Sequence, residues 1–189
     1  MKNNVINYIK GDLYRYIAKT DLISFFKAYI RYEGFKFSVW LRICHFWRRK
    51  KIIMYTFFPI ARLIYKHYKY KFGYDIPYTC DIGPGLLIYH IGTITFVPEK
   101  CGKNMTISQE TTVGMKVYNG KKKFPILGDN IYIAPGSKII GDVRVGNNVA
   151  VGTNSVLLNS VPDRSVVVGI PGKVISYNGS YEYVNNPIK

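Results

Sequence analysis

The sequence predicts a mainly β protein, a parallel β-helix preceded by a small helical region, and three observations carry that prediction. From Leu127 to Pro162 the chain divides into sixes: LGDNIY, IAPGSK, IIGDVR, VGNNVA, VGTNSV, LLNSVP. Every block opens on an aliphatic residue (Leu127, Ile133, Ile139, Val145, Val151, Leu157), and a small or β-branched residue follows four places later (Ile131, Ser137, Val143, Val149, Ser155, Val161). Gly, Asn and Asp fill the remaining positions, where corners need positive φ or side-chain bonds to the backbone. A period of six fits neither the 3.6 of a helix nor plain strand alternation. It fits three short strands per coil of about eighteen residues, with coils stacked at roughly 4.8 Å and the first residue of each block pointing inward.

In chain order, residues 1–72 read as a helical, basic and aromatic N-terminal region. Asp21 is placed to cap a helix through Phe25 and Ile30, interrupted at Gly34. A second helical stretch from Phe37 to about Arg49 carries Trp40, Leu41, Cys44 and Trp47 near helical spacing, as expected for packing onto the coils or onto another subunit. Residues 73–176 form the β-helix. Ile76, Ile82, Ile88 and Ile94 open successive sixes, one extra residue follows, and Cys101, Ile107 and Val113 resume the period, with Met105 inward. The run MKVYNGKKKFPI breaks the repeat, predicting a loop over 115–125, the usual place for function in a solenoid. Residues 177–189 read as a loose polar tail.

The chain of 189 residues is 48% apolar, enough for a real core. Its formal charge of +16 is uneven: residues 1–72 hold sixteen Lys/Arg against three Asp/Glu, and residues 73–189 hold eleven against eight. The longest nearly uncharged run, Ile52 to Ala61, is about half a membrane span, so a spanning helix is not expected. A peripheral contact with anionic lipid through 37–72 is the alternative to packing. No nucleic-acid-binding motif is present. The first residues lack a signal peptide's apolar core, and Cys44, Cys80 and Cys101 share no metal-ligand spacing, so a reducing cytoplasmic setting is expected.

Three histidines exist, His45, His67 and His90, and only His90 lies in the repeat. One histidine cannot make a three-histidine zinc site, so no metal is expected. By itself a lone histidine is more often structural than catalytic, and Asp75 reads equally as a corner residue. Small residues at an eighteen-residue interval, such as Ala134 and Gly152, leave a slot for a thin ligand, although corners need small residues anyway. Lys121, Lys122, Lys123 and Lys173 suit phosphates by charge, or simply a solvated loop.

The sixes resemble the hexapeptide-repeat family, whose β-helix is left-handed and whose members are mostly acyltransferases acting as trimers. Within it, YDIPYTCDIGPGLLIYHIGTI resembles the catalytic segment of serine acetyltransferases. That resemblance implies His90 as general base and Asp75, fifteen residues earlier, as its orienting carboxylate. It also implies an acetyl-coenzyme A groove between subunits, along Gly114, Met115, Ala134, Pro135, Gly152 and Thr153, with Lys173 near the phosphates. Two positions depart from the serine enzymes: Tyr89 stands for an aspartate and Phe124 for a second histidine. Aromatics there suit a sugar ring, and YKYKFGYDIP, GKNMTISQETTVG and VPDRSVVVGIPGKVI resemble the acetyltransferases of capsule and exopolysaccharide clusters.

The expected function is O-acetyl transfer from acetyl-coenzyme A to a hydroxyl of a polysaccharide or lipid-linked glycan precursor, with Tyr89 and Phe124 at the acceptor. Serine O-acetylation, N-acetylation of a nucleotide amino sugar and a non-catalytic scaffold are the rivals.

Overall fold

The computed structural model describes residues 4–48, 50 and 55–189. Residues 73–168 wind into a three-sided parallel β-helix. One face stacks β1 (Tyr74–Asp75), β3 (Ile94–Phe96), β6 (Thr112–Gly114), β11 (Lys138–Ile140) and β14 (Val156–Leu157). A second face stacks β2 (Leu87–Ile88), β5 (Thr106–Ile107), β10 (Tyr132–Ile133), β13 (Ala150–Val151) and β15 (Val166–Val168). The third holds β4 (Lys100–Cys101), β9 (Ile126–Leu127) and β12 (Arg144–Val145). In the clean repeat, partners lie eighteen residues apart, as in Leu127 with Val145, Ile133 with Val151 and Ile139 with Leu157.

Both periodic positions of the sixes are buried. Ile133, Ile139 and Val151 are fully inaccessible, as are Ser137 and Ser155 in the second column. A hydroxyl in an apolar column needs a partner. Ser137 Oγ donates to the Ala134 carbonyl at 2.8 Å, and Ser165 repeats the device on Pro162 at 2.8 Å. The corner between the third and second faces is closed by an amide ladder. Asn104 Nδ2 donates to Asn130 Oδ1 at 2.7 Å, and Asn130 Nδ2 to Asn148 Oδ1 at 2.9 Å, all three residues having φ of 55–60°. Asn tolerates that left-handed conformation better than other residues bearing a Cβ.

The predicted loop over 115–125 is a hairpin, β7 (Lys116–Tyr118) and β8 (Lys121–Lys123), leaving the corner between the first and third faces. Asn119 and Gly120, both at positive φ, make its two-residue turn. The repeat resumes in register beyond it: Ile107 pairs with Ile133 across the inserted segment.

Among the described residues, four helices precede the coils: α1 (Val5–Ile17), α2 (Leu22–Arg31), α3 (Glu33–Trp47) and α4 (Phe58–Phe72). Asp21 caps α2, its carboxylate accepting from the Ser24 amide at 2.9 Å. Gly34 does not interrupt a helix but opens α3, where a Cβ would fall 2.3 Å from the Ile88 carbonyl oxygen; a side chain would push α3 off the first coil. Phe37, Leu41 and Cys44 of α3, and Ala61, Tyr65 and Phe72 of α4, join the same apolar core as Ile76, Ile88 and Phe96. The boundary near residue 72 therefore separates topologies and not cores.

Within the stretch 37–72, α3 packs inward on this core. Exposed apolar side chains of the helical region include Ile6 on α1, Leu22, Ile23, Phe26 and Ile30 on α2, Tyr55 and Phe57 before α4, and Ile60, Leu63 and Tyr70 on its outer side. Residues 52–54 of the expected uncharged run, and Arg49 at the end of the expected helix, lie outside the described residues. Among the described residues, no helix is long and apolar enough to cross a membrane.

The helices are tied to the first coil by buried charge. Arg42 Nε and Nη2 donate to the two Asp12 oxygens at 2.9 and 3.0 Å, with both side chains at 3% exposure or less. Arg42 also donates to the Ile82 and Gly83 carbonyls, and Asp12 Oδ1 accepts from the Gly85 and Leu86 amides at 2.9 and 2.8 Å. Tyr16 OH accepts from the Ile88 amide at 2.9 Å.

Residues 177–189 are not a loose tail. After β16 (Lys173–Ser176) reverses against β15, the chain runs back across the second face as a strap. Gly179 and Ser180 amides donate to the Arg164 and Asn148 carbonyls at 2.9 and 3.0 Å, and Val184 is 5% exposed. Ile188 exchanges two bonds with the Asn104 amide group, at 2.9 Å each. A polar composition concealed this, because the strap is held by backbone and amide bonds and not by an apolar stripe.

Removing Asp12 leaves the Arg42 guanidinium buried without its counter-charge. Asp12→Ala is expected to lose about 3–5 kcal/mol of stability in denaturant titration. Asp142→Ala, which breaks only the exposed 3.4 Å pair with Lys123, should stay within about 0.5 kcal/mol of the parent.

Candidate functional site

His90 follows β2, where the chain turns from the second face to the first. Successive coils stack their own turns beneath it: Ser108–Thr111, Ala134–Ser137 and Gly152–Ser155. Backbone bonds hold the stack, with the Tyr89 amide on the Ile107 carbonyl, Ser108 on Ile133, Ala134 on Val151 and Gly152 on Val167, at 2.8–3.1 Å. The Tyr74 hydroxyl donates to the His90 carbonyl at 3.1 Å and fixes the backbone there. The ring is exposed, and it lines a cavity of about 360 Å³ with Tyr89, Gln109, Tyr132 and Pro135. His45 and His67 are elsewhere: His45 Nδ1 pairs with the Tyr78 carbonyl at 2.9 Å, and His67 packs beside Tyr68 on α4.

The candidate site residues divide by position. Tyr89, Pro135 and His90 share the cavity, and Ala134, Gly152 and Thr153 continue its corner. Tyr89 is 42% exposed, with its ring centroid 6.2 Å from that of His90. Phe124 ends the hairpin on a different corner and does not line this cavity. Lys173 lies on β16, and Lys121, Lys122 and Lys123 form the exposed strand β8.

Asp75 lies on β1, paired with Thr95 of β3. Its carboxylate meets Lys69 Nζ at 2.6 Å, and among the described residues no hydrogen bond joins it to the His90 ring. The fifteen-residue spacing thus puts the carboxylate on the first face, and the structure shows it held by α4.

The glycines separate structural from functional smallness. At Gly152 a Cβ would meet Val168 Cγ1 at 2.8 Å, so a side chain there would require Val168 to shift. At Gly114 the nearest atoms are 3.9 Å away, which is ordinary contact. Nothing in this chain's packing requires glycine at the end of β6, so its smallness leaves open space beside the backbone.

Several cavity residues were not apparent in the sequence: Gln109, Glu182, Tyr183 and Asn185. Gln109 had a usable signal, since it falls nineteen residues after His90 on the next turn of the same corner. The strap residues had none, because their position depends on a long-range return. Gln109 Oε1 is buried and has no hydrogen-bond partner among the described residues. The thiols offer no reactive group, since burial pushes Cys44 up to about 12 and Cys80 to about 11, and raises Cys101 further still. Among the described residues, no group of three or more His, Cys, Asp or Glu could hold a metal ion.

Comparison with known proteins places this geometry. A family profile described as bacterial transferase hexapeptide (six repeats) matches residues 124–159. The serine acetyltransferase of Bacillus subtilis (strain 168) is 35% identical over 159 residues, covering 82% of this chain and 70% of that protein. That of Staphylococcus xylosus is 38% identical over 146 residues, covering 75% and 64%. Among solved structures, soybean serine acetyltransferase apoenzyme superposes with a TM-score of 0.73 at 28% identity, over 91% of this chain and 69% of that one. The chain thus spans between 56% and 70% of the length of these and similar curated relatives. The expected closest kinship with capsule and exopolysaccharide acetyltransferases is not supported, because the relatives found are named serine acetyltransferases. The likeness covers helices and coils together, and with the repeat it carries the left-handed winding expected of hexapeptide proteins. The chain belongs to the serine acetyltransferase family of hexapeptide-repeat transferases.

Proposed function

We propose that the protein transfers acetyl from acetyl-coenzyme A to an acceptor hydroxyl, with His90 as general base. The observation that carries this reading is an exposed imidazole at the head of a corner lined by small residues, in a cavity of about 360 Å³. An alcohol is too weak an acid to attack a thioester unaided, so the ring accepts its proton as the new C–O bond forms. The C–S bond then breaks, and the thiolate of coenzyme A takes the proton back from the ring. With all three thiols pushed upward, direct attack is preferred to an acyl-enzyme. Gly114 and Met115, at the root of the hairpin, are the proposed backbone contact for the thioester. Ala134, Pro135, Gly152 and Thr153 flank the pantetheine, and Lys173 meets a phosphate.

Free serine is the first acceptor to test: it is the substrate in the relatives' name, and a soybean homologue is described as complexed with serine. A glycan hydroxyl is the second reading. The observation that favours it is Tyr89 in the cavity and Phe124 at the re-entry, where the serine enzymes use ionisable side chains. Phe124 and Lys121–Lys123 do not reach the His90 cavity of their own chain, so their part in the site requires the trimer, with a neighbour's hairpin at this corner. Peripheral association with anionic lipid belongs to the same proposal, now through the apolar face of α2 beside Lys27 and Arg31.

Acetyl transfer should be measured against serine, neutral sugars, nucleotide amino sugars and oligosaccharides. His90→Ala is expected to lower kcat by about 10²–10⁴-fold with little change in coenzyme A binding. Retained activity in that variant removes the base assignment. If neither acetyl transfer nor coenzyme A binding is found in the parent, the chain is a scaffold.

The Asp75→Asn variant locates the carboxylate's role. The ion pair with Lys69 predicts a loss below about tenfold, whereas a loss matching His90→Ala assigns Asp75 to orienting the ring.

A further inference from the structure

We infer that the face formed by α1 and α2 docks on an anionic lipid bilayer through a two-part seat: an apolar groove that takes acyl chain, and a cationic cavity on the other flank of α2 that takes headgroup phosphate. The seat deepens the lipid contact of the proposed function and rests on that part of it, whereas acetyl transfer at His90 is not required for it.

α2 uses one side to hold the protein together. Ser24 and Ala28 are buried, Phe25 packs edge-on against Phe35 with centroids 5.6 Å apart, and the Tyr29 hydroxyl accepts from Trp40 Nε1 at 2.8 Å. The other side carries a second apolar stripe. Leu22, Phe26 and Ile30 fall four residues apart with Ile23 beside them, and their exposures run from 56% to 76%. Four large apolar side chains turned to water on a ten-residue helix make the kind of patch that marks an interaction surface. Through Leu22 the stripe continues into a groove of about 530 Å³ between α1 and α2, walled by Ile6, Ile9, Leu13, Leu22 and Phe25.

The cations are placed around this apolar surface. Lys27 and Arg31 follow Phe26 and Ile30 and so flank the stripe. With Lys19 they ring a cavity of about 250 Å³ that also touches Ser24 and Tyr32, and the Arg31 guanidinium lies 5.5 Å from the centre of the Tyr32 ring. Lys10 stands at the rim of the groove. All four cations are exposed. Among the residues lining the groove and the cavity, the carboxylate is that of Asp21 alone, and it already accepts from the Ser24 amide at 2.9 Å and the Ser24 hydroxyl at 2.7 Å.

This combination selects the occupant. An apolar stripe by itself would suit a second copy of the chain, but two such faces pressed together would set four cations against four, with both Asp21 carboxylates engaged as caps. A nucleic acid or an acidic protein would answer the cations and leave the stripe in water. An anionic bilayer supplies acyl chains for the stripe and groove and phosphates for the cations at one interface, and lysine stems can lie along the apolar surface while their ammonium groups reach the phosphates.

The test is co-sedimentation of the full chain with vesicles of phosphatidylcholine alone and of phosphatidylcholine mixed equally with phosphatidylglycerol. The mixed vesicles are expected to bind the protein at least about tenfold more tightly, and added salt to weaken that binding. Phe26→Glu is expected to lower binding by about tenfold or more, and Lys27→Gln and Arg31→Gln by about fivefold each. Leu63→Glu, on the outer side of α4, should bind as the parent does. These side chains are exposed, so melting temperatures should stay near that of the parent and a loss of binding reads the surface itself.

No binding to mixed vesicles, equal binding to both kinds, or Phe26→Glu indistinguishable from the parent overturns the proposal. A parent oligomer that Phe26→Glu splits in gel filtration without vesicles assigns the face to a second copy and overturns it too. Vesicle binding in the expected pattern without acetyl transfer to any soluble acceptor sustains the lipid seat and overturns the acetyl-transfer reading instead.

Discussion

A parallel coil stack has two open ends, and the first coil here presents an unpaired row of carbonyls and amides that must be satisfied without water. Asp12 and Arg42 meet that constraint together: the carboxylate takes the Gly85 and Leu86 amides, and the guanidinium takes the Ile82 and Gly83 carbonyls. Each charge is affordable inside only because the other is there. Tyr16 serves Ile88 in the same way, donating to its carbonyl at 3.2 Å and accepting from its amide at 2.9 Å. The helices are thus the edge cover that a naked β-edge requires, and not a separable appendage.

The same constraint reaches the candidate site. Arg15 sits one turn from Asp12 on α1 and ties the Gly85 carbonyl, Thr106 and the strap's Asn185 into one knot. Burial lowers its pKa to about 10, so it stays charged at neutral pH and keeps all three contacts. The segment that caps the coil stack therefore also seats the wall of the His90 cavity. Loosening α1 should disturb the strap before it disturbs the coils, because the clean repeat from Leu127 onward makes its own contacts.

The β-helix was legible in the sequence because its cause is periodic: a side chain every six residues must enter a narrow triangular core, and both buried columns fall where the sixes put them. The hairpin interrupting it was legible as a break, and the Asn119–Gly120 pair contains the signal for its turn. His90 stood out by its position and resemblance, and Asp21 by capping chemistry. What escaped was non-periodic and long-range. Asp12, Arg15 and Arg42 look like surface charges in a basic third, yet they are the buried fasteners of the fold. The strap reads as a polar tail because its bonds are made by backbone, amides and one stacked tyrosine. The Asp75 spacing matched a family pattern, but spacing does not choose between two partners, and Lys69 holds that carboxylate.

The three corners of the prism differ in how they use their polar groups. At the corner of Asn104, Asn130 and Asn148 each amide bonds the next, so the ladder is satisfied and offers nothing to a ligand. At the corner between the first and third faces, the chain departs into the hairpin. At the corner of His90 the corresponding amide, Gln109, has no partner for its oxygen among the described residues, and the turns beside it carry alanine, proline and glycine in place of a ladder. A fold built by repetition satisfies its polar groups by repetition, so an unsatisfied amide in the stack is a break in the rule.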